Sequence, residues 1–181
     1  MLVRVIGCGN PDVGDDAAGV VAVERARDAL EALGVEVVPQ AAPLGIVHLL
    51  EGADAVVVVD AIRSPGAGRA PGEIVRAEAG ADGLPAEIRS SLSSHGLGVA
   101  EAVGLAAAMG PTPRVIVLGV EAERTSAGAG LSDAVRRALP DLVGAIVSEA
   151  SDLVGGAGAE VERSPAEGPT DPTRDGGAEP R

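Results

Sequence analysis

Three groups of polar residues in this chain have the types and the setting to do chemistry. Asn10, Asp12, Asp15 and Asp16 follow the first apolar run, Asp60 closes the valine-rich run at 55–59, and Ser93, Ser94 and His95 stand together ahead of a later helical stretch. Carboxylates with an imidazole form a ligand set suited to a borderline divalent ion such as nickel or zinc. The same groups can perform general acid–base work. Each has a plainer reading as well. Asp15 suits a helix N-cap, where the dipole favours its charge. A cap explains one aspartate but not its neighbour, because adjacent helical residues point roughly 100° apart. Asp60 suits a turn at a strand end, and His95 alone suits an ordinary loop histidine. His48, beside Leu49 and Leu50, reads as an exposed structural residue and not as a ligand.

Three further features invite a functional reading and fail it. Cys8 is the one cysteine, and at the end of a buried strand it reads as a small hydrophobe, since a nucleophilic thiol needs a low-pKa, partly exposed setting. Gly7 and Gly9 begin a dinucleotide fingerprint, but the third glycine is replaced by Asp12, whose carboxylate would repel a pyrophosphate. The run Ser93-Ser94-His95 is no serine triad, because sequence neighbours rarely meet in triad geometry.

The elements that must position these groups follow from the apolar pattern. Leu2 to Cys8 reads as a buried parallel strand, and 15–33 as a helix stopped by Gly34. Val35 to Pro39 reads as a second strand, Pro43 to Glu51 as a short helix, and Ala55 to Val59 as a strand ending at Asp60. After a Pro/Gly-rich loop at 64–72 come an edge strand at 73–78, a helix at 95–109 entered through Ser93-Ser94, a strand at 114–120 and a helix at 131–153. This alternation predicts one α/β domain over 1–154, a three-layer α/β/α arrangement with a mostly parallel twisted sheet of about five strands. From Gly155 the chain is Gly, Pro, Ala and charge, and 155–181 reads as a disordered tail. Ligands of such a sheet bind outside the carboxyl ends of the strands. All three polar groups fall there.

Composition narrows the partners. The 181 residues contain no Phe, Tyr or Trp, so the core must be Val, Leu, Ile and Ala. The net charge of −13 argues against nucleic acid, which needs a concentrated basic surface. One cysteine fits a reducing compartment. The opening MLVRVIGCGN has no basic region followed by a long apolar run and a small-residue cleavage site, so no signal segment is expected, and no apolar stretch reaches the roughly 18–20 residues of a membrane span. A cytoplasmic monomer without membrane contact is expected.

Taken in register, the segments GCGNPDVGDDAAGV at 7–20, VVVVDAIRSPGAGRAPGEI at 56–74 and SSHGLGVAEAV at 93–103, with VIVLGVEAE at 115–123 as a weaker piece, resemble the hydrogenase maturation endopeptidases. The resemblance runs to about Ala150. It implies a flavodoxin-like or phosphorylase-like α/β fold and an enzyme that removes a C-terminal peptide from the hydrogenase large-subunit precursor. It also implies that Asp16, Asp60 and His95 coordinate nickel and serve catalysis, with Gly9, Asn10 and Asp15 shaping the loop around them. The nickel is expected to arrive on the precursor and to be bound transiently. Three protein ligands leave coordination positions open for sharing an ion between two proteins. The sequence departs from the family at Ala17, where glycine is common, and in the tail after Gly155. Two alternatives stand beside this reading. GCGNP is similar to the opening loop of peptidyl-tRNA hydrolases, although the later histidine and the basic face of that family are missing. The three residues could also hold nickel in a non-catalytic accessory protein.

Overall fold

The valine-rich run forms the middle of the sheet. In the computed structural model, which describes residues 1–40, 45–64, 66–79, 83–86 and 98–161, strand β3 (Ala55–Ile62) lies between β1 (Val3–Cys8) and β5 (Arg114–Glu121). Strand β2 (Glu36–Gln40) pairs outside β1, and β4 (Ile74–Glu78) pairs outside β5, giving the order β2-β1-β3-β5-β4. Only β4 runs antiparallel. Pro39 sits on the edge strand β2, where its missing N–H costs no ladder bond on the open side.

Helices cover both faces, which is why β1 and β3 are continuous apolar runs instead of alternating ones. On one face α1 (Ala18–Ala32) and the long C-terminal helix α4 (Asp133–Val161) bury Val5, Val57, Val59 and Leu118 with Leu139 and Leu142. On the other, α2 (Ile46–Leu50) and α3 (Val99–Met109) bury Ile6, Val56, Val58 and Val117 with Val103. The result is the expected three-layer α/β/α domain, with valine filling the space that aromatic rings would occupy. No helix among the described residues is long and apolar enough to cross a membrane.

Several boundaries differ from the sequence expectation, each for a local reason. Asp60 does not end β3. The ladder to β5 continues through Asp60↔Gly119, Ala61↔Val120 and Ile62↔Glu121, and buried Ile62 repays the extension. The predicted first helix is split into a 3₁₀ turn, Gly14–Ala17, and α1. Helix α3 starts at Val99, not His95, because Gly98 is extended and donates its N–H to Glu101 Oε2 at 2.9 Å. Ser93, Ser94 and His95 lie outside the described residues. Helix α4 runs to Val161, past Leu153 and into the stretch expected to be a tail. Once a packed helix exists each further residue adds one bond, so the helix continues although Gly155, Gly156 and Gly158 are poor helix formers. The remainder of that expectation, 162–181, lies outside the described residues, as does 41–44 ahead of α2.

Candidate active site

Two glycines let the first loop close on the strand ends. A Cβ on Gly19 would lie 2.3 Å from the carbonyl oxygen of Val59 and 2.5 Å from that of Cys8. The start of α1 is therefore in backbone contact with β1 and β3 at their carboxyl ends. Gly9 has φ +118°, and a Cβ there would sit 1.7 Å from the carbonyl oxygen of Asp16. No other residue type allows this loop to fold back so tightly.

Asn10 shapes what lies between. Its N–H donates to Asp16 Oδ2 at 2.8 Å, its Oδ1 accepts the N–H of Asp12 at 3.0 Å, and its carbonyl accepts the N–H of Val13 at 3.1 Å. The half-buried Asp16 carboxylate is thereby aimed along the rim. Across from it is Asp60, 8% exposed on β3, whose Oδ1 accepts the N–H of Ala61 at 2.9 Å. Burial and the nearby Asp16 charge push the Asp60 carboxyl up to about 8, against the weaker opposing effect of the Ala61 N–H. At neutral pH the Asp60 carboxyl is therefore placed to hold a proton at the rim, beside the Asp16 side chain.

Asp15, the neighbour of Asp16, does not cap the helix. Its carboxylate is wholly buried and accepts the backbone N–H groups of Glu123 at 2.9 Å, Arg124 at 2.9 Å and Ser132 at 2.6 Å. Burial opposes the charge, but the hydrogen bonds from Arg124, Ser132 and Glu123 outweigh it and hold the carboxyl below its usual value. Asp15 thus clips the loop after β5 to the turn that carries Asp16, a clip completed by Asp15 N–H to Arg124 O at 3.0 Å and Gly128 N–H to Asp12 O at 2.8 Å. Cys8 is fully buried, and desolvation, then the charges of Asp60 and Asp16, push its thiol well above the ordinary value. It is a packing residue. His48 is exposed and faces Glu51 at 3.9 Å, far from the rim.

One residue escaped the sequence reading. Glu121 ends β5 and lies on the same sheet face as Asp60, since Asp60 pairs with Gly119 and side chains alternate. It is 7% exposed; Oε1 accepts the Ser64 N–H at 2.8 Å, and Oε2 has no hydrogen-bond partner among the described residues. It anchors the loop after β3. The signal was there in VIVLGVE, an apolar strand closed by an acid as VVVVD closes its own. A separate apolar hollow, between Leu50 on α2 and Met109 on α3, opens at the amino ends of β3 and β5, the wrong end of the sheet for this chemistry.

Among the described residues Asp16 and Asp60 converge, and no group of three possible metal ligands does. His95 lies outside them. The family of the chain is decided by a longer stretch of its sequence: a family model described as hydrogenase maturation protease matches residues 40–149. The chain belongs to the hydrogenase maturation protease family. It is accordingly a peptidase, and this settles the choice between the two hydrolase readings of the GCGNP loop. Solved structures agree. A hydrogenase maturating endopeptidase, HybD, from E. coli shares 25% identity with a TM-score of 0.59, over 89% of this chain and 94% of that one. An endopeptidase from Escherichia coli shares 25% identity with a TM-score of 0.71, over 86% and 94%. A [NiFe] hydrogenase maturation protease, HybD, from Thermococcus kodakarensis has the same fold at 23% identity and a TM-score of 0.58, over 83% and 99%. By sequence alone, no curated protein matches significantly.

Proposed function

We propose that this protease removes a C-terminal peptide from a nickel-containing hydrogenase large-subunit precursor, and that it cuts only when nickel is in place. Asp16, Asp60 and His95 read the metal. The observation that carries this is the convergence of Asp16 and Asp60 at the carboxyl ends of the strands, with Asp60 pushed up to about 8 by burial and by Asp16. Two carboxylates that repel one another in a dry setting are a site that a divalent cation relieves.

His95 precedes Gly98 by three residues, and Gly98 opens α3 on the sheet face that Asp60 occupies. An imidazole entering from that side would add the third ligand. Here nickel belongs to the substrate: a bound ion supplies a Lewis acid for a carbonyl or a water. The protein's own contribution is orientation and proton handling. Asn10 N–H fixes one oxygen of Asp16 and leaves the other for the ion or the peptide. Asp60 holds a proton at neutral pH until a cation displaces it. The two neighbouring carboxyl groups also suit activation of water by one of them, as in aspartic-type peptidases.

The test is a processing assay with nickel-loaded and nickel-free precursor, followed by intact-mass spectrometry. Loss of a short C-terminal peptide from the loaded precursor alone is the expected result. Equal cleavage of both forms would remove the metal-reading role, and cleavage of neither would remove the substrate.

A further inference from the structure

Next to the loop that Asp15 clips lies a second feature, on the other sheet face from Asp60. A cleft of about 470 Å³ is lined by Pro71, Glu123, Arg124, Asp133, Ala134 and Arg137, between the loop after β5 and the first turn of α4. In a chain with 27 acidic residues and 14 arginines, most described arginines near an acid are paired with it. Arg124 and Arg137 are not: among the described residues neither enters an ion pair. Asp133 is paired with Arg136 at 3.1 Å, outside the cleft, which leaves Glu123 as the one acid of the lining without an ion pair among the described residues. Ser132 Oγ accepts the Val135 N–H at 3.3 Å, so the N–H of Ala134 stays a first-turn donor without an intrahelical acceptor.

The cleft is built, not incidental. The Asp15 carboxylate holds the N–H groups of Glu123, Arg124 and Ser132 together, and Asp16 is the next residue. The third side is closed by the turn at Pro71-Gly72. Gly72 has φ +86°, and a Cβ there would be 2.8 Å from the carbonyl oxygen of Ala134. The Arg124 backbone and the start of α4 are therefore held at a fixed offset from Asp16, on the sheet face opposite to that of Asp60 and α3, and the two exposed arginine side chains extend from them.

We propose that this cleft holds a carboxylate of the peptide that is cut away, with Arg124 and Arg137 as its partners. The proposal rests on the C-terminal processing reading above. A carboxylate at the far end of a bound segment fits two arginines bidentately and fixes the register of the chain across Asp16 and Asp60. The carboxylate is either the terminal one or an Asp or Glu side chain of that peptide.

The experiment uses the full chain, the nickel-loaded precursor, and the fluorophore-labelled synthetic C-terminal segment in three forms: free acid, C-terminal amide, and acidic side chains replaced by amides. Arg124 and Arg137 are exposed, so the Arg124→Ala/Arg137→Ala double variant keeps its fold. It should raise KM about tenfold with little change in kcat, and weaken the free-acid segment about tenfold in anisotropy. Arg137→Lys should recover only part of this. Loss of affinity on amidation of the terminus identifies the terminal carboxylate; loss on replacing the acidic side chains identifies those instead. Wild-type KM and wild-type segment affinity in the double variant would overturn the cleft while leaving the processing function intact. If the wild type cuts no precursor, the function itself fails, and the anisotropy arm still decides the cleft: a segment bound equally by both proteins, or by neither, overturns it.

Discussion

Asp15 and Asp16 are adjacent in the chain and turn their carboxylates to opposite tasks. Asp15 points inward and collects three backbone N–H groups from the loop after β5. Asp16 stays half-buried at the rim, held by Asn10 and within electrostatic reach of Asp60. One aspartate builds the site, and the other is in it. The 3₁₀ turn makes this division possible, because successive side chains leave such a turn about 120° apart.

Replacing Asp15 by Asn keeps the size and removes the charge. The amide NH₂ meets an N–H where the second carboxylate oxygen stood, leaving at least one buried donor unpaired. The expected loss is about 1–3 kcal/mol of stability, seen as a lower midpoint in chemical denaturation. The sign with pH follows from the depressed folded-state carboxyl. Its stabilisation is present above the ordinary aspartate value and fades as pH falls through the lower folded value. Variant and wild type should therefore converge in acid. A constant gap down to strongly acidic pH would refute the assignment.

Gly9→Ala tests whether the loop needs its glycine for geometry. The new Cβ would meet the Asp16 carbonyl at 1.7 Å, so the turn must move and carry Asp16 with it. A displacement of about 1 Å at a reacting group can cost roughly a hundredfold in rate. Gly52→Ala is the control: φ is +72°, yet nothing lies within 4 Å of the added carbon. Its expected cost is about 1–2 kcal/mol of backbone strain with normal turnover. Equal activity in the two variants would show that the Gly9 turn does not position Asp16.

Much of this was legible in the sequence, and the failures are physical. The central strands announced themselves because a sheet covered on both faces needs unbroken apolar runs, and 55–59 is one. Asp60 is expected to end its strand, yet the strand runs on to Ile62, because the length of a ladder depends on its partner and β5 is long enough to continue it. The same reasoning explains the missed Glu121. Its significance depends on Ser64, 57 positions away in sequence, and no local pattern encodes that pairing. The inward turn of Asp15 was hidden for the same reason, since its partners lie 108–117 residues along the chain. The Arg124/Arg137 cleft gave no signal at all, because arginine on an exposed helix start is ordinary.

Cys8→Ala should process the precursor at the wild-type rate. The thiol is fully buried, and burial together with Asp60 and Asp16 pushes it away from the thiolate form. The native wild type should also resist a charged alkylating reagent until it is unfolded. Rapid modification of the folded protein, or loss of cleavage by a folded Cys8→Ala variant, would reinstate the cysteine as a chemical group.

Asp60→Asn carries the sharpest pH signature. In the metal-free wild type the folded carboxyl titrates near 8, whereas the unfolded one titrates near 3.9. Between these values the folded state binds the extra proton. Wild-type stability therefore falls as pH rises from about 4 to about 8, by up to about 1.4 kcal/mol for each unit of separation, and then levels off. Asparagine cannot ionise and lacks this slope. Thermal melts of both proteins from pH 5 to 9 should show the variant gaining on the wild type until about pH 8, with no further gain above it. The variant should be inactive in processing although more stable. Adding nickel to the wild type at pH 7 should release a proton that the variant does not release, because a cation takes the place of the proton on Asp60. Parallel melting curves across this range would mean that Asp60 is ionised throughout, and its role as a proton-holding group beside Asp16 would have to be abandoned.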